Sequence, residues 1–335
     1  MTITIKDVAQ HAGVSVGTVS RVLAKNSTVS EAIRLKVEGV IERLGYRPSS
    51  LGRNLRLNRT YLIGLLIPDI TNPFFAELAK HVEMLASAEG YSVLLANTHD
   101  DPKAEQQQVE ALLSRLPFGI ILVPVSDSLI NTIVAGTRTV TVDRPLRGHA
   151  LVGVDNARGG YLAADHLLAL GHRNLGYISG PSSTEVSRAR RAGFVSRVSE
   201  FQAQNPGSVT EPQIVEGNFD YTSGEKLGRI LLQSPPDRRP TAIATASDQQ
   251  AIGLMRAAAD MGIRVPQDLS IIGFDDIPLA SLVFPRLTTI RQPIAEIARI
   301  ALEAVLGRLS LQKEWMLEPV LINRNSSAAV AATGT

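Results

Sequence analysis

The chain contains no cysteine, which excludes a disulfide framework and any thiolate-ligated metal site. Aromatic residues make up only 4% of it, so the few aromatics present are worth locating one by one. Long apolar runs are missing too. The longest, Tyr61–Pro68 and Gly119–Val125, fall well short of the roughly 20 residues that span a bilayer. The amino-terminal stretch MTITIKDVAQ has no apolar core of the signal-peptide kind, and a cytoplasmic protein is expected. There is no G-x-x-x-x-G-K phosphate loop, and the six histidines are scattered without H-E-x-x-H spacing. No catalytic residues, metal site or cofactor are therefore expected, and His166 and His172 read as structural.

The remainder is ordinary globular composition, 44% apolar and 20% charged over 335 residues, enough for two or three domains. The net charge of +2 hides an asymmetry. Residues 1–60 carry ten Lys and Arg against four Asp and Glu, a net of +6, and the remaining residues carry 24 against 28, a net of −4. A basic head on an acidic body points to a polyanion as the head's partner.

Three short helical patterns fill residues 1–46. Thr4 with Asp7 reads as a capping pair, Ser15 and Ser30 as N-caps, and Ile33, Val37, Val40 and Leu44 as one apolar stripe. Within Ile5–Ala24, Ala9 suits the closest approach of two crossing helices and Gly13 a turn with positive φ. Val8, Val14, Val19 and Val22 suit the interior. That is a helix-turn-helix, whose second helix, about Val16–Leu23, enters the major groove. Arg21 is then the best base reader, through a bidentate pair with guanine, and Val16 suits a thymine methyl. Thr18 and Ser20 suit phosphates, and Gly17 offers no side chain. Gly13-Val-Ser15-Val-Gly17 also fits the G-x-S-x-G elbow of hydrolases, but no buried strand precedes it, and the enzyme reading is set aside.

Residues 47–60 form a polar, basic linker. From residue 61 the texture becomes apolar strands (61–67, 91–96, 119–123, 139–142, 175–178, 242–246, 269–274) alternating with amphipathic helices (73–89, 101–115, 159–170, 248–261). This alternation implies parallel sheets covered by helices. The strands are too many for one common sheet, and Asn156–Gly160 reads as a crossover. The expected fold is a small all-α head plus an α/β body of two doubly wound parallel-sheet subdomains with a cleft between them. The boundaries are 1–46 for the head and 47–60 for the linker. In the body at 61–324, one subdomain takes about 61–156 and 291–319, and the other about 157–290 and 320–324. Residues 325–335, rich in Ser, Ala, Gly and Thr, are expected to be disordered and, lacking heptads, not a coiled coil.

Thr4-Ile-Lys-Asp-Val-Ala9, Ala12-Gly-Val-Ser15, Thr18-Val-Ser-Arg-Val-Leu23, Leu44-Gly-Tyr-Arg-Pro48 and Arg53-Asn-Leu55 together resemble the head and hinge of the lactose-repressor/galactose-repressor family. The resemblance runs through nearly the whole chain. It implies a homodimer that binds a pseudo-palindromic operator and answers to a small metabolite. It implies a hinge helix over Ser49–Arg56 that forms on DNA, with Leu55 wedged between base pairs and Arg53 and Arg56 on phosphates. Eight residues are too few to hold a helix alone, and Gly52 weakens it further by about 1 kcal/mol. Gly52 and Asn54 depart from the usual alanine and serine of the family. The candidate DNA contacts are thus Thr4, Ser15, Val16, Gly17, Thr18, Ser20, Arg21, Arg53, Leu55 and Arg56.

The body resembles the type I periplasmic-binding-protein fold. Asp69, Asn72 and Phe74 or Phe75 follow the first strand, where α/β sheets place ligands. Phe75 and Phe219 match the family's stacking aromatics. Arg190, Asp143 and Asp275 match its ligand-binding arginine and acids, and Ser247 stands where some relatives have asparagine. Asp248 reads as a helix cap instead. The expected effector is a sugar, polyol or sugar derivative, and the chain a regulator, most simply a repressor. A purine or nucleoside effector, a protein co-repressor, or a metabolite-binding protein with a vestigial head are the alternatives.

Overall fold

The computed structural model describes residues 3–23, 28–46, 60–126, 129, 137–235, 238–310 and 314–330. The chain divides into two compact units, 1–60 and 61–335.

Among its described residues the first unit contains three helices, α1 (Ile5–Ala12), α2 (Val16–Leu23) and α3 (Glu31–Leu44). Thr4 opens α1 by giving its backbone N–H and its hydroxyl to Asp7 Oδ2, at 2.8 and 2.7 Å, and these bonds hold the Asp7 carboxyl below its usual range. Gly13 ends the helix in the left-handed conformation, φ 62°, which costs a side-chain-bearing residue energy and a glycine little. Val8, Ala9, Ala12, Val19, Val22, Val29, Val37 and Val40 form a small closed core. Ile33, placed by its spacing on the apolar stripe of α3, is instead exposed, because α1 and α2 cover only the side of α3 that carries Val37 and Val40.

The second unit holds two six-stranded sheets. The first has the order β11-β5-β4-β3-β1-β2, with β1 (Leu62–Ile67), β2 (Ser92–Asn97), β3 (Gly119–Leu122), β4 (Arg138–Val142), β5 (Ala150–Val154) and β11 (Trp315–Leu317). The second has the order β12-β10-β9-β8-β6-β7, with β6 (Leu175–Ser179), β7 (Gln213–Glu216), β8 (Ala242–Thr245), β9 (Ser270–Asp275), β10 (Thr288–Arg291) and β12 (Val320–Ile322). Every pairing is parallel except β10 with β12. Period-2 alternation sends the two faces of each strand into different layers. From β1, Ile63, Leu65 and Ile67 pack under α4 (Pro73–Ala88) and α10 (Ile294–Val305), while Leu66 packs with Val109 and Leu112 of α5 (Pro102–Leu113). In the second sheet, Ile272 and Phe274 face α6 (Asn156–Ala169) and α7 (Glu185–Gln204), and Ile271 faces α8 (Tyr221–Leu232) and α9 (Asp248–Asp260). Helices α6 and α7 cross so closely that a Cβ on Gly160 would strike the Arg190 carbonyl, and one on Gly193 the Ala157 carbonyl.

The chain passes between the sheets three times, after β5, after β10 and between β11 and β12. Strands β5, β7, β10, β11 and β12 are additional to those read from the sequence. Each is short and most lie near sheet edges, where alternation has few residues in which to show. The expected disorder of 325–335 is overturned for 325–330. Ser326 is fully buried, donating its hydroxyl to Ile271 O at 2.6 Å and accepting from Thr288 N at 2.8 Å. Ala328 N donates to Ser270 Oγ and Val330 N to Leu170 O, both at 3.0 Å. These bonds strap the segment across the starts of β9 and β10. His172 lies beneath this strap, bonded to Thr241 Oγ1 and Ser270 Oγ, each at 2.9 Å, and burial lowers its pKa.

Candidate DNA-binding head and ligand cavity

In the head, Ser15 caps α2 by accepting the Thr18 N–H at 3.1 Å, and the two hydroxyls bond at 2.9 Å. Both groups are thereby fixed on the outer face of the helix start. Val16 is half-buried against the core of the unit, whereas Gly17 and Arg21 are exposed. Arg21 Nε rests on the Gly17 carbonyl at 3.3 Å, so the guanidinium lies along the bare backbone that glycine leaves. Thr4, Ser15, Gly17 and Arg21 are exposed, and Thr18 and Ser20 partly so. Arg53, Leu55 and Arg56, with the hinge helix expected around them, lie outside the described residues.

All nine expected ligand residues line one cavity of about 540 Å³ in the body. From the first subdomain come Asp69, Asn72, Phe74, Phe75 and Asp143, and from the second Arg190, Phe219, Ser247 and Asp275. Phe74 and Phe75 meet edge to face, centroids 5.2 Å apart and planes at 74°. They are held at the start of α4, where Asn72 caps by accepting the Phe74 N–H at 3.0 Å. Asp69 folds back on Thr71, accepting its N–H and hydroxyl at 2.8 Å.

Asp143 directly follows β4 and Asp275 ends β9, one in each sheet, and both have positive φ, 65° and 118°. Aspartate tolerates the left-handed well at 65°, but 118° at Asp275 lies outside it, and such strain is commonly stored at binding sites. Arg190 is buried beside Asp275. Its Nε donates to Asn156 Oδ1 at 2.7 Å and its Nη1 to Ala246 O at 2.6 Å, with Asp275 Oδ1 at 3.5 Å from Nη1. Its guanidinium lies 3.8 Å from the Phe274 ring centroid and 5.9 Å from that of Phe219. Burial pushes the Asp275 carboxyl up to about 7, opposed by Arg190 and by the 2.7 Å bond from Gln292 Nε2 and reinforced by Asp143. Behind it Asp248, fully buried, is raised well above the carboxylate range by burial and by Asp275. Two aromatic faces, a forked cation and strand-end carboxylates suit a ring that offers hydroxyls to the polar groups and C–H faces to the phenyls.

A model described as "Bacterial regulatory proteins, lacI family" matches residues 4–49, and one described as "Periplasmic binding protein-like domain" matches residues 164–327. The ribose operon repressor of Escherichia coli K12 is 36% identical over 334 residues, covering 97% of this chain and 99% of that protein. The chain belongs to the lacI family of bacterial regulatory proteins. Among solved structures, this LacI-family regulator is similar to the lac repressor dimer bound to operator and an anti-inducer, with a TM-score of 0.87, 27% identity and coverage of 98% of this chain and 100% of that one. It is also similar to a LacI-family regulator from Enterococcus faecium with bound ribose, at a TM-score of 0.71, 30% identity and coverage of 81% and 100%.

The structure of the LacI-family chain also fixes the setting of further cavity groups, Gln292 among them unread from the sequence. Arg144, next to Asp143, points its Nη1 to Asp100 at 2.9 Å, and its Nε is the one buried side-chain polar atom with no hydrogen-bond partner among the described residues. Gln292 lines the cavity from the second crossover, and its place in Arg291-Gln-Pro293, immediately after a strand, was the available signal. Ser247 lines the cavity, but its hydroxyl is already used: it donates to Phe219 O at 3.0 Å and accepts the Gln250 N–H at 3.2 Å. Ser247, not Asp248, is therefore the N-cap of α9. The Asp248 carboxylate instead accepts the Thr289 hydroxyl at 2.5 Å and the Ile277 N–H at 2.9 Å, tying α9 to the neighbouring strand. Among the described residues no helix is long and apolar enough to cross a membrane and no acidic or histidine cluster could hold a metal.

Proposed function

We propose that this regulator is a sugar-responsive repressor that binds a pseudo-palindromic operator as a homodimer. Arg21 reads a guanine, Val16 contacts a neighbouring methyl, and Thr4, Ser15, Thr18 and Ser20 place the helix on the backbone. A monosaccharide in the body cavity controls the affinity. The observation that carries this reading is the convergence of nine residues from both subdomains on one cavity of about 540 Å³, with phenyl faces opposite an arginine and strand-end carboxylates. A ligand that touches both walls binds open and closed arrangements unequally, which is what lets it shift operator affinity. The family relatives named for ribose support the sugar class. The second subdomain exposes Leu279, Leu282 and Phe284 within one short segment, apolar surface of the kind a self-interface covers.

Two measurements test it. Selection of operator from a random duplex library should enrich a two-fold repeat whose binding weakens steeply with salt, and failure to enrich any sequence would overturn the DNA reading. Thermal melting with D-ribose, other monosaccharides and hypoxanthine should give an upward shift for a sugar, about 2.7 kcal/mol at a hundredfold excess over Kd. A shift with hypoxanthine alone would replace sugar by purine.

A further inference from the structure

The ion pair in the cavity has an uncommon support. Arg190 and Asp275 both belong to the second subdomain, and each is held by an amide that stands where the chain crosses between subdomains. Asn156 begins α6 directly after the first crossover. It accepts from Arg190 Nε at 2.7 Å and donates its Nδ2–H to the Val154 carbonyl at 3.2 Å, and Val154 is the last residue of β5 in the first sheet. Gln292 lies in the second crossover, donating to Asp275 Oδ1 at 2.7 Å.

The two amides differ in one respect. Gln292 lines the cavity, whereas Asn156 is buried behind Arg190 and does not. Asn156 therefore meets an effector only through the arginine. Its amide is planar and rigid, with the oxygen committed to a side chain of the second subdomain and the nitrogen committed to the backbone of the first. A rotation of one subdomain against the other must lengthen or bend one of the two bonds.

We propose that Asn156 is a positioning residue that couples the state of Arg190 in the cavity to the angle between the subdomains. It rests on the reading of the cavity as the effector site. An effector that draws the guanidinium toward its own oxygens pulls on Asn156 and, through it, on the end of β5. In the empty protein the same pair of bonds fixes the resting angle. Asn156 is thus the link between binding and response, and removing half of it should separate the two.

The test uses the full chain, and the absence of cysteine allows site-specific spin labels. Lys103→Cys and Glu185→Cys, at exposed sites near the starts of α5 and α7, report the distance between subdomains by double electron–electron resonance. Without any sugar, Asn156→Ala and Asn156→Asp should each shift or broaden the distance distribution while far-UV circular dichroism stays that of the parent. Asn156→Asp keeps an acceptor for Arg190 and loses the donor to Val154. Distributions identical in all three proteins overturn the proposal. With D-ribose as probe, calorimetry and operator titration should show the sugar-induced change in operator affinity falling about tenfold in Asn156→Asp, and falling more than D-ribose affinity does. Equal losses of both reduce Asn156 to a support of Arg190 and also overturn it. If the parent protein binds neither D-ribose nor the other monosaccharides, the sugar reading fails and the spin-label result alone decides on Asn156.

Discussion

Replacing Arg190 by methionine keeps the aliphatic stem of the side chain and removes its charge. The structure assigns the guanidinium three partners, Asn156, Ala246 and Asp275, so the change leaves the buried Asp275 carboxylate without its cation. Breaking a buried pair in this way costs about 3–5 kcal/mol. The cost should depend on pH in a defined direction. Burial already holds Asp275 at about 7 with Arg190 present, so the folded chain binds that proton more tightly than the unfolded chain does. A carboxyl raised in this sense favours the fold at low pH, and stability falls as pH climbs from about 4 through about 7. Without Arg190 the carboxyl rises further and the fall extends past pH 8. One proton held over two pH units is worth about 3 kcal/mol, part of which the parent already loses in that range, so Arg190→Met should cost on the order of 1 kcal/mol more at pH 8 than at pH 6. Urea unfolding followed by far-UV circular dichroism measures this, and adding Asp275→Asn should restore most of the loss at pH 8. An equal loss at both pH values, or no recovery in the double variant, would show that Asp275 is not the group left stranded.

Other expectations are simpler. Arg21→Ala should weaken operator binding by about 1–3 kcal/mol and relax preference at one base pair in each half-site, which titration against operator variants would reveal. Gly193→Ala forces a methyl onto the Ala157 carbonyl and should lower the thermal midpoint of the body by more than Gly207→Ala, where positive φ but no neighbour stands in the way. Ser326→Ala leaves the buried Thr288 N–H without its acceptor, at about 1–3 kcal/mol; an unchanged urea midpoint would mean that the strap contributes nothing.

The head was legible because each of its signals is local. Gly13, the Ser15 cap and the valine spacing act within a few residues of themselves, and α2 occurs over the residues the spacing indicated. The long strands and helices of the body were legible for the same reason. Of the cavity residues, Asp69, Asp143 and Asp275 stand at strand ends, where parallel sheets place ligands, whereas Arg190 and Phe219 were reachable only through the family resemblance. What could not be read depends on partners distant in sequence. Nothing near Ser326 announces that Ile271 and Thr288 will enclose it, and a Ser-Ala-Gly-rich stretch has the composition of a disordered tail. Asn156 read as part of a crossover, and only the folded chain shows that Arg190, thirty-four residues later, lies against it.

The strand order carries a consequence for how this protein is made. Five strands of the first sheet lie within residues 62–154, but α10, which shares one face of that sheet with α4, spans 294–305, and the sheet's edge strand β11 spans 315–317. The whole second subdomain is inserted between. As the polypeptide emerges from the ribosome, Val140 and Val142 wait for Ile297, Ala301 and Val305 until the intervening residues have been synthesised. During that interval a parallel-sheet face is open to water and to other nascent chains. Premature termination anywhere between residues 157 and 293 should therefore yield fragments that aggregate, not a smaller working regulator.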